Sequence, residues 1–166
     1  MGADLYIRSI NDKFKAETDP KFYALCAERD AFPYGDKRRE PVQERINACM
    51  DEMYSRPVSE VGYFRDSYNS SDLLWFLGLS WWEDIGKLQN KKTGDLTVAT
   101  GIPKFLKMVE RREPPLSIED YAEKQGVKFE HDTPQEWVHY FMEKQRSLVE
   151  FLELALTLKE NIRASL

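Results

Sequence analysis

Residues 133–163, TPQEWVHYFMEKQRSLVEFLELALTLKENIR, decide the fold class. Thr133 is a helix-capping residue, Pro134 suits the first helical position, and Glu136 stands where an acid can reach back to the cap. Together they predict a capping box reinforced by proline. An apolar seam follows at alternating steps of four and three through Trp137, Phe141, Lys144, Leu148, Phe151, Ala155, Leu158 and Ile162, interrupted only by Lys144. The expectation is one helix from Pro134 to about Arg163.

Val149, Leu152, Leu154 and Leu156 add apolar surface outside that seam, more than a single packing face covers. A helix of ~30 residues is roughly 45 Å long, against a diameter of about 40 Å for a globule of this size. Either the other helices wrap it as a central core element, or its flank, at Leu152 and Leu156, meets a second copy of the chain.

Upstream, Ser117 and the acids after it resemble a helix start, and Gly126 can end that short helix in the left-handed conformation. A helix is expected from Pro103 to Arg112, with Ile102, Phe105, Leu106 and Val109 inward, stopped by Pro114-Pro115. Residues 87–101 read as a loop or weak hairpin around Asn90-Lys91-Lys92-Thr93-Gly94-Asp95. Leu73 through Trp82 is apolar almost all round, which predicts a buried helix or one whose surface meets a partner.

Towards the N-terminus, Val42, Ile46, Cys49, Met50 and Met53 form a helical stripe beginning near Pro41, and Asp19-Pro20 reads as the cap and first turn of an earlier helix. Ala3, Leu5 and Ile7 alternate with Asp4, Tyr6 and Arg8 at the period of a half-buried strand. Residues 58–66 carry a second strand that could pair with it, and two strands alone need helices against them. The expected architecture is mainly α: about six helices in one domain spanning 1–166, with a long C-terminal helix and one small two-stranded β element.

Composition narrows the class. The 166 residues fit one ordinary hydrophobic core. Charged residues at 32% against 42% hydrophobic place the chain among soluble globular proteins, and no apolar run approaches the ~20 residues that cross a bilayer. A net charge of −5 and a pI near 5.2 argue against a general nucleic-acid binder. Lys37-Arg38-Arg39 and Lys91-Lys92 read as solvated loops rather than a nucleic-acid surface. Cys26 and Cys49 lack CxxC spacing and read as reduced thiols. The N-terminus lacks the basic and apolar stretches of a secretion signal, so the expected location is cytoplasmic.

No motif names a chemistry. GxSxG, GxxxxGK and GxGxxG are all missing from the sequence. Glu136 and His139 have the Glu-x-x-His spacing of carboxylate-bridged metal sites, but His131 is not three residues after a glutamate, so no second pair exists; neither a metal nor another cofactor is expected.

The segment that could hold a ligand runs from Gly62 to Asp72, where an arginine, acids, tyrosines, an asparagine and serines meet a helix entrance beside tryptophans. Its candidate residues are Arg65, Asp66, Tyr68, Asn69 and Trp75. The bland alternative gives these side chains to ion pairs, turns and caps. Trp81 and Trp82 point about 100° apart on a helix, so they pack on two sides or leave an indole for a partner. The leading functional expectation is a protein that acts by binding another macromolecule as an adaptor, inhibitor or immunity-type protein, through Trp81, Trp82, Leu152 and Leu156. Self-association through the C-terminal helix is part of that expectation. The alternative is a small-molecule-binding protein or enzyme with a pocket around Arg65–Asp72.

Overall fold

The alternating N-terminal segment becomes the strand around which the sheet is ordered. The computed structural model describes residues 2–67, 72–126 and 133–166. Strand β1 (Gly2–Tyr6) pairs on one side with β2 (Tyr63–Ser67) and on the other with β4 (Ile162–Ser165), and β3 (Asp95–Leu96) pairs with β4. Every pairing is antiparallel and the order is β2-β1-β4-β3, so the two-stranded element expected from the sequence is half of a four-stranded sheet. Alternation sends Ala3, Leu5, Phe64 and Ile162 into the core from three different strands.

Seven α-helices are described: α1 (Arg8–Asp30), α2 (Arg39–Tyr54), α3 (Val58–Val61), α4 (Leu73–Phe76), α5 (Gly101–Val109), α6 (Ile118–Gln125) and α7 (Pro134–Leu158). Helix α1 starts eleven residues before the Asp19-Pro20 start read from sequence, and Pro20 lies inside it. Burial decides this: Asn11, Phe14, Thr18 and Leu25 share one helical face, which outweighs the roughly 3 kcal/mol that an interior proline costs.

Residues 58–66 are likewise not one strand. A helical turn, α3, comes first, and Gly62 ends it at φ 59° before β2 begins. A Cβ there would lie 2.7 Å from the Ile10 Cβ and 2.9 Å from the Ile7 carbonyl oxygen, so only glycine allows α1 to press against this corner. The contact is sealed by hydrogen bonds from the Ile7 N–H to the Gly62 carbonyl (2.9 Å) and from the Asn11 amide to the Val61 carbonyl (3.0 Å).

The capping box at Thr133 and Glu136 forms as the sequence demands, and α7 runs 25 residues from it. Phe141, Leu148, Phe151, Leu152 and Ala155 are fully buried, because α7 packs against α3, α4, α5, α6 and β2. It is the wrapped, central arrangement. The helix stops short of Arg163: Lys159 turns to φ 55°, Glu160 accepts hydrogen bonds from the Ser9 N–H and hydroxyl, and Asn161 accepts from the Val98 N–H at 2.9 Å. Ile162 therefore reaches the core from a strand rather than from the helix seam.

A smaller apolar cluster, Leu25, Val42, Ile46 and Cys49, lies between α1 and α2. Surface ion pairs Lys21–Glu52 (3.2 Å) and Arg45–Glu28 (2.8 Å) bridge these two helices.

Candidate functional site

Strand alternation separates Arg65 from Asp66. Arg65 faces outward, 3.8 Å from the Asp4 carboxylate, while Asp66 is 0% exposed on the core side of β2. These two candidates therefore cannot line one pocket. Trp75 is half exposed on α4, and Tyr68 and Asn69 lie outside the described residues.

Asp66 is the polar centre of the core. Its carboxylate accepts from the N–H groups of Leu73 (3.0 Å) and Leu74 (3.2 Å), from the Trp81 indole N–H (2.9 Å), and from the Lys144 ammonium (2.6 Å). A buried carboxylate is tolerable only when its lone pairs are occupied in this way. The lysine that looked like a flaw in the apolar seam of α7 is thus its counter-charge. Burial pushes the Lys144 pKa down, but Asp66 and the Tyr140 hydroxyl, 3.1 Å away, together hold it above the usual lysine value.

Asp72 caps α4 by accepting from the Trp75 N–H at 3.1 Å, and a side-chain hydrogen bond joins it to Asp66. Burial, then the neighbouring Asp66 charge, push its pKa up to about 8. Both causes favour the protonated form of Asp72. Tyr121 closes the far side, its hydroxyl 3.4 Å from the Asp72 carbonyl oxygen and its ring edge-on to Phe76 and Phe141. Burial raises the Tyr121 pKa, with the charges of Asp72 and Asp66 adding to the effect. A carboxyl that keeps its proton at neutral pH could serve as a general acid.

The segment after Asp72 is not the continuous helix read from sequence. Helix α4 ends after one turn, Gly78 adopts φ 66°, and a π-helical turn spans Trp81–Ile85. Arg112 makes the break stable by donating to the freed carbonyls of Leu77 (2.6 Å) and Gly78 (3.3 Å). The new turn is capped by Ser80, which accepts from the Glu83 N–H at 3.2 Å.

The four residues expected to meet a partner are divided by this geometry. Trp81 is 2% exposed, packed edge-on to Phe105 and bonded to Asp66, and Leu152 is fully buried against the core, so neither presents a surface. Leu156 is partly buried at the core margin. Trp82 stands out at 62% exposure, and Trp75 at 49%.

The remaining sequence candidates are occupied or exposed. Glu136 is held in the capping box and His139 is on the surface; among the described residues no cluster of three His, Cys, Asp or Glu side chains could hold a metal. His131 lies outside the described residues. Arg38 pairs with Asp36 and Arg39 with Asp30, so neighbouring acids answer the two arginines of the Lys37–Arg39 cluster. Cys26 and Cys49 are free thiols, and no described helix is long and apolar enough to cross a membrane.

Sequence reasoning missed Lys144 and Tyr121 as members of the polar centre. The available signal was a single lysine in an otherwise apolar seam, which asks for a buried acid opposite. Compared with known families, curated proteins and solved structures, the chain matches none.

Proposed function

We propose that this protein acts by binding another protein, through the exposed indoles of Trp82 and Trp75. One observation supports the reading. Residues 72–85 send Leu73, Leu74, Phe76, Leu77, Leu79, Trp81 and Ile85 into the core, yet the same stretch leaves Trp75 49% and Trp82 62% exposed. An exposed tryptophan held on a rigid, capped turn is a preorganised anchor, because little conformational entropy is lost when it docks. Self-association through the C-terminal helix has less support, since Leu152 is spent on the core. The free thiols favour the cytoplasm as the place of action.

The test is a photo-crosslinking residue in place of Glu83, beside Trp82, in cells of the natural host. The expected result is a discrete adduct with one other polypeptide, lost when Trp82→Ala and Trp75→Ala are added. Adducts of equal yield in the tryptophan variants, or none in the parent, would overturn the reading.

The enzyme reading draws on a different feature, Asp72 beside Asp66, its pKa pushed up to about 8 by burial and the Asp66 charge. It requires a turnover that Asp72→Asn abolishes while the melting temperature stays in place.

A further inference from the structure

The outer face of the sheet carries charge in two arrangements. Register aligns Tyr63, Tyr6 and Arg163 across β2, β1 and β4, with Asp4 opposite both Arg65 and Ser165. On the β2 side the charges are answered: Asp4 accepts from the Tyr63 hydroxyl at 2.6 Å and lies 3.8 Å from Arg65. Tyr6 stacks on Tyr63, ring centroids 5.0 Å apart.

On the β4 side lies a cavity of about 480 Å³ between the sheet and the start of α1. Arg8 and Lys15 line it from the helix and Arg163 from β4, with Asp12 the one acid among the lining residues and Ser165 adding a hydroxyl. Arg8, Asp12 and Lys15 follow one another at steps of four and three, so one helical face delivers them together. The Lys15 ammonium sits 5.5 Å from the Tyr6 ring centroid. None of the three cations forms an ion pair among the described residues. Asp95, opposite Arg163 in the ladder, does not pair with it and is not part of the lining.

Three cations against one acid leave the cavity with two net positive charges, in a chain whose overall charge is −5. Like charges gathered in a concave surface repel one another, and a bound anion relieves that repulsion. We propose that this cavity binds the phosphate group of a small phosphate monoester. Such a group carries −1.5 to −2 charges at neutral pH, which matches the excess, and its oxygens suit the planar forks of two arginines. A nucleic-acid backbone needs a stripe of positive charge, whereas here the cations are confined to one recess of an acidic molecule.

The test is a titration of the full-length, isotope-labelled protein followed by amide resonances, at constant ionic strength, with inorganic phosphate and phenyl phosphate as probes and chloride as the control. The expected result is saturable shifts confined to Tyr6, Arg8, Lys15, Arg163 and their neighbours, with phenyl phosphate the tighter probe. Arg8→Gln and Arg163→Gln, both exposed positions, each weaken binding by about tenfold or more. Arg65→Gln, on the same face but outside the cavity, leaves it unchanged. Shifts that grow linearly and appear equally at Lys91 and Lys92, no shifts, or equal weakening by Arg65→Gln would overturn the proposal. A single-stranded oligonucleotide that displaces phenyl phosphate at lower concentration would overturn its small-molecule part.

Discussion

The two faces of the sheet treat charge in opposite ways. On the inner face Asp66 is buried and meets two backbone N–H groups, an indole and a lysine, so its charge is consumed by the fold. On the outer face Arg8, Lys15 and Arg163 gather round a recess with one acid and no ion pair between them. The same β-strand alternation produces both, since Arg65 and Asp66 are neighbours that face opposite sides. The lesson concerns where to look for function: a charged cluster whose partners are all present is structure, and one whose partners are missing awaits a ligand.

Asp66 carries the largest expected effect. Replacing it by alanine leaves Lys144, the Trp81 indole N–H and the α4 amides without their acceptor, and the expected loss is roughly 3–5 kcal/mol of stability. Denaturant unfolding measures it, and a loss below about 1 kcal/mol would show that the centre is not holding the core.

A second expectation concerns pH. In the unfolded chain Asp72 releases its proton near the ordinary aspartate value, whereas in the folded chain it holds it up to about 8. Between those values the folded state binds the extra proton, so this group makes stability fall as pH rises from the ordinary value to about 8 and level off above it. Asp72→Asn removes that slope. Melting temperatures of both proteins across the window decide the matter, and parallel curves would contradict the assignment.

Smaller in effect is Thr133→Ala, which strips the cap from α7 and is expected to cost about 1 kcal/mol. The smallest is Arg163→Gln, within about 0.5 kcal/mol of the parent or slightly stabilising, because it removes a repelling surface charge rather than a contact. Marked destabilisation would mean that Arg163 is a structural partner after all.

What was legible in the sequence was local. Thr133, Pro134 and Glu136 announced the start of α7; Ala3 and Leu5 announced β1; Ser117 and Gly126 bracketed α6. What failed depended on contacts far apart in the chain. Ile162 continues the apolar rhythm of α7, and only the tether of Glu160 to Ser9 and the pairing of Ile162 with Leu96 of β3 make it a strand residue. Pro20 looked like a beginning, because the packing of Phe14 and Leu25 that carries α1 through it is tertiary. The candidate site suffered most: Arg65 and Asp66 read as one pocket, Trp81 and Leu152 as surface, and Lys144 as a defect. The distant acid that answers Lys144 leaves no trace in the helical rhythm around it.

We propose that this protein works by binding at its surface, with the Asp66–Asp72 centre serving the fold. Native mass spectrometry of the protein purified from its natural host tests it most directly, on the parent, the Trp75→Ala/Trp82→Ala double variant and Asp72→Asn. The expected result is a second polypeptide's mass on the parent and on Asp72→Asn, and only the 19.5 kDa chain in the tryptophan variant. A bare chain in the parent, or a partner that survives loss of both indoles, would contradict it.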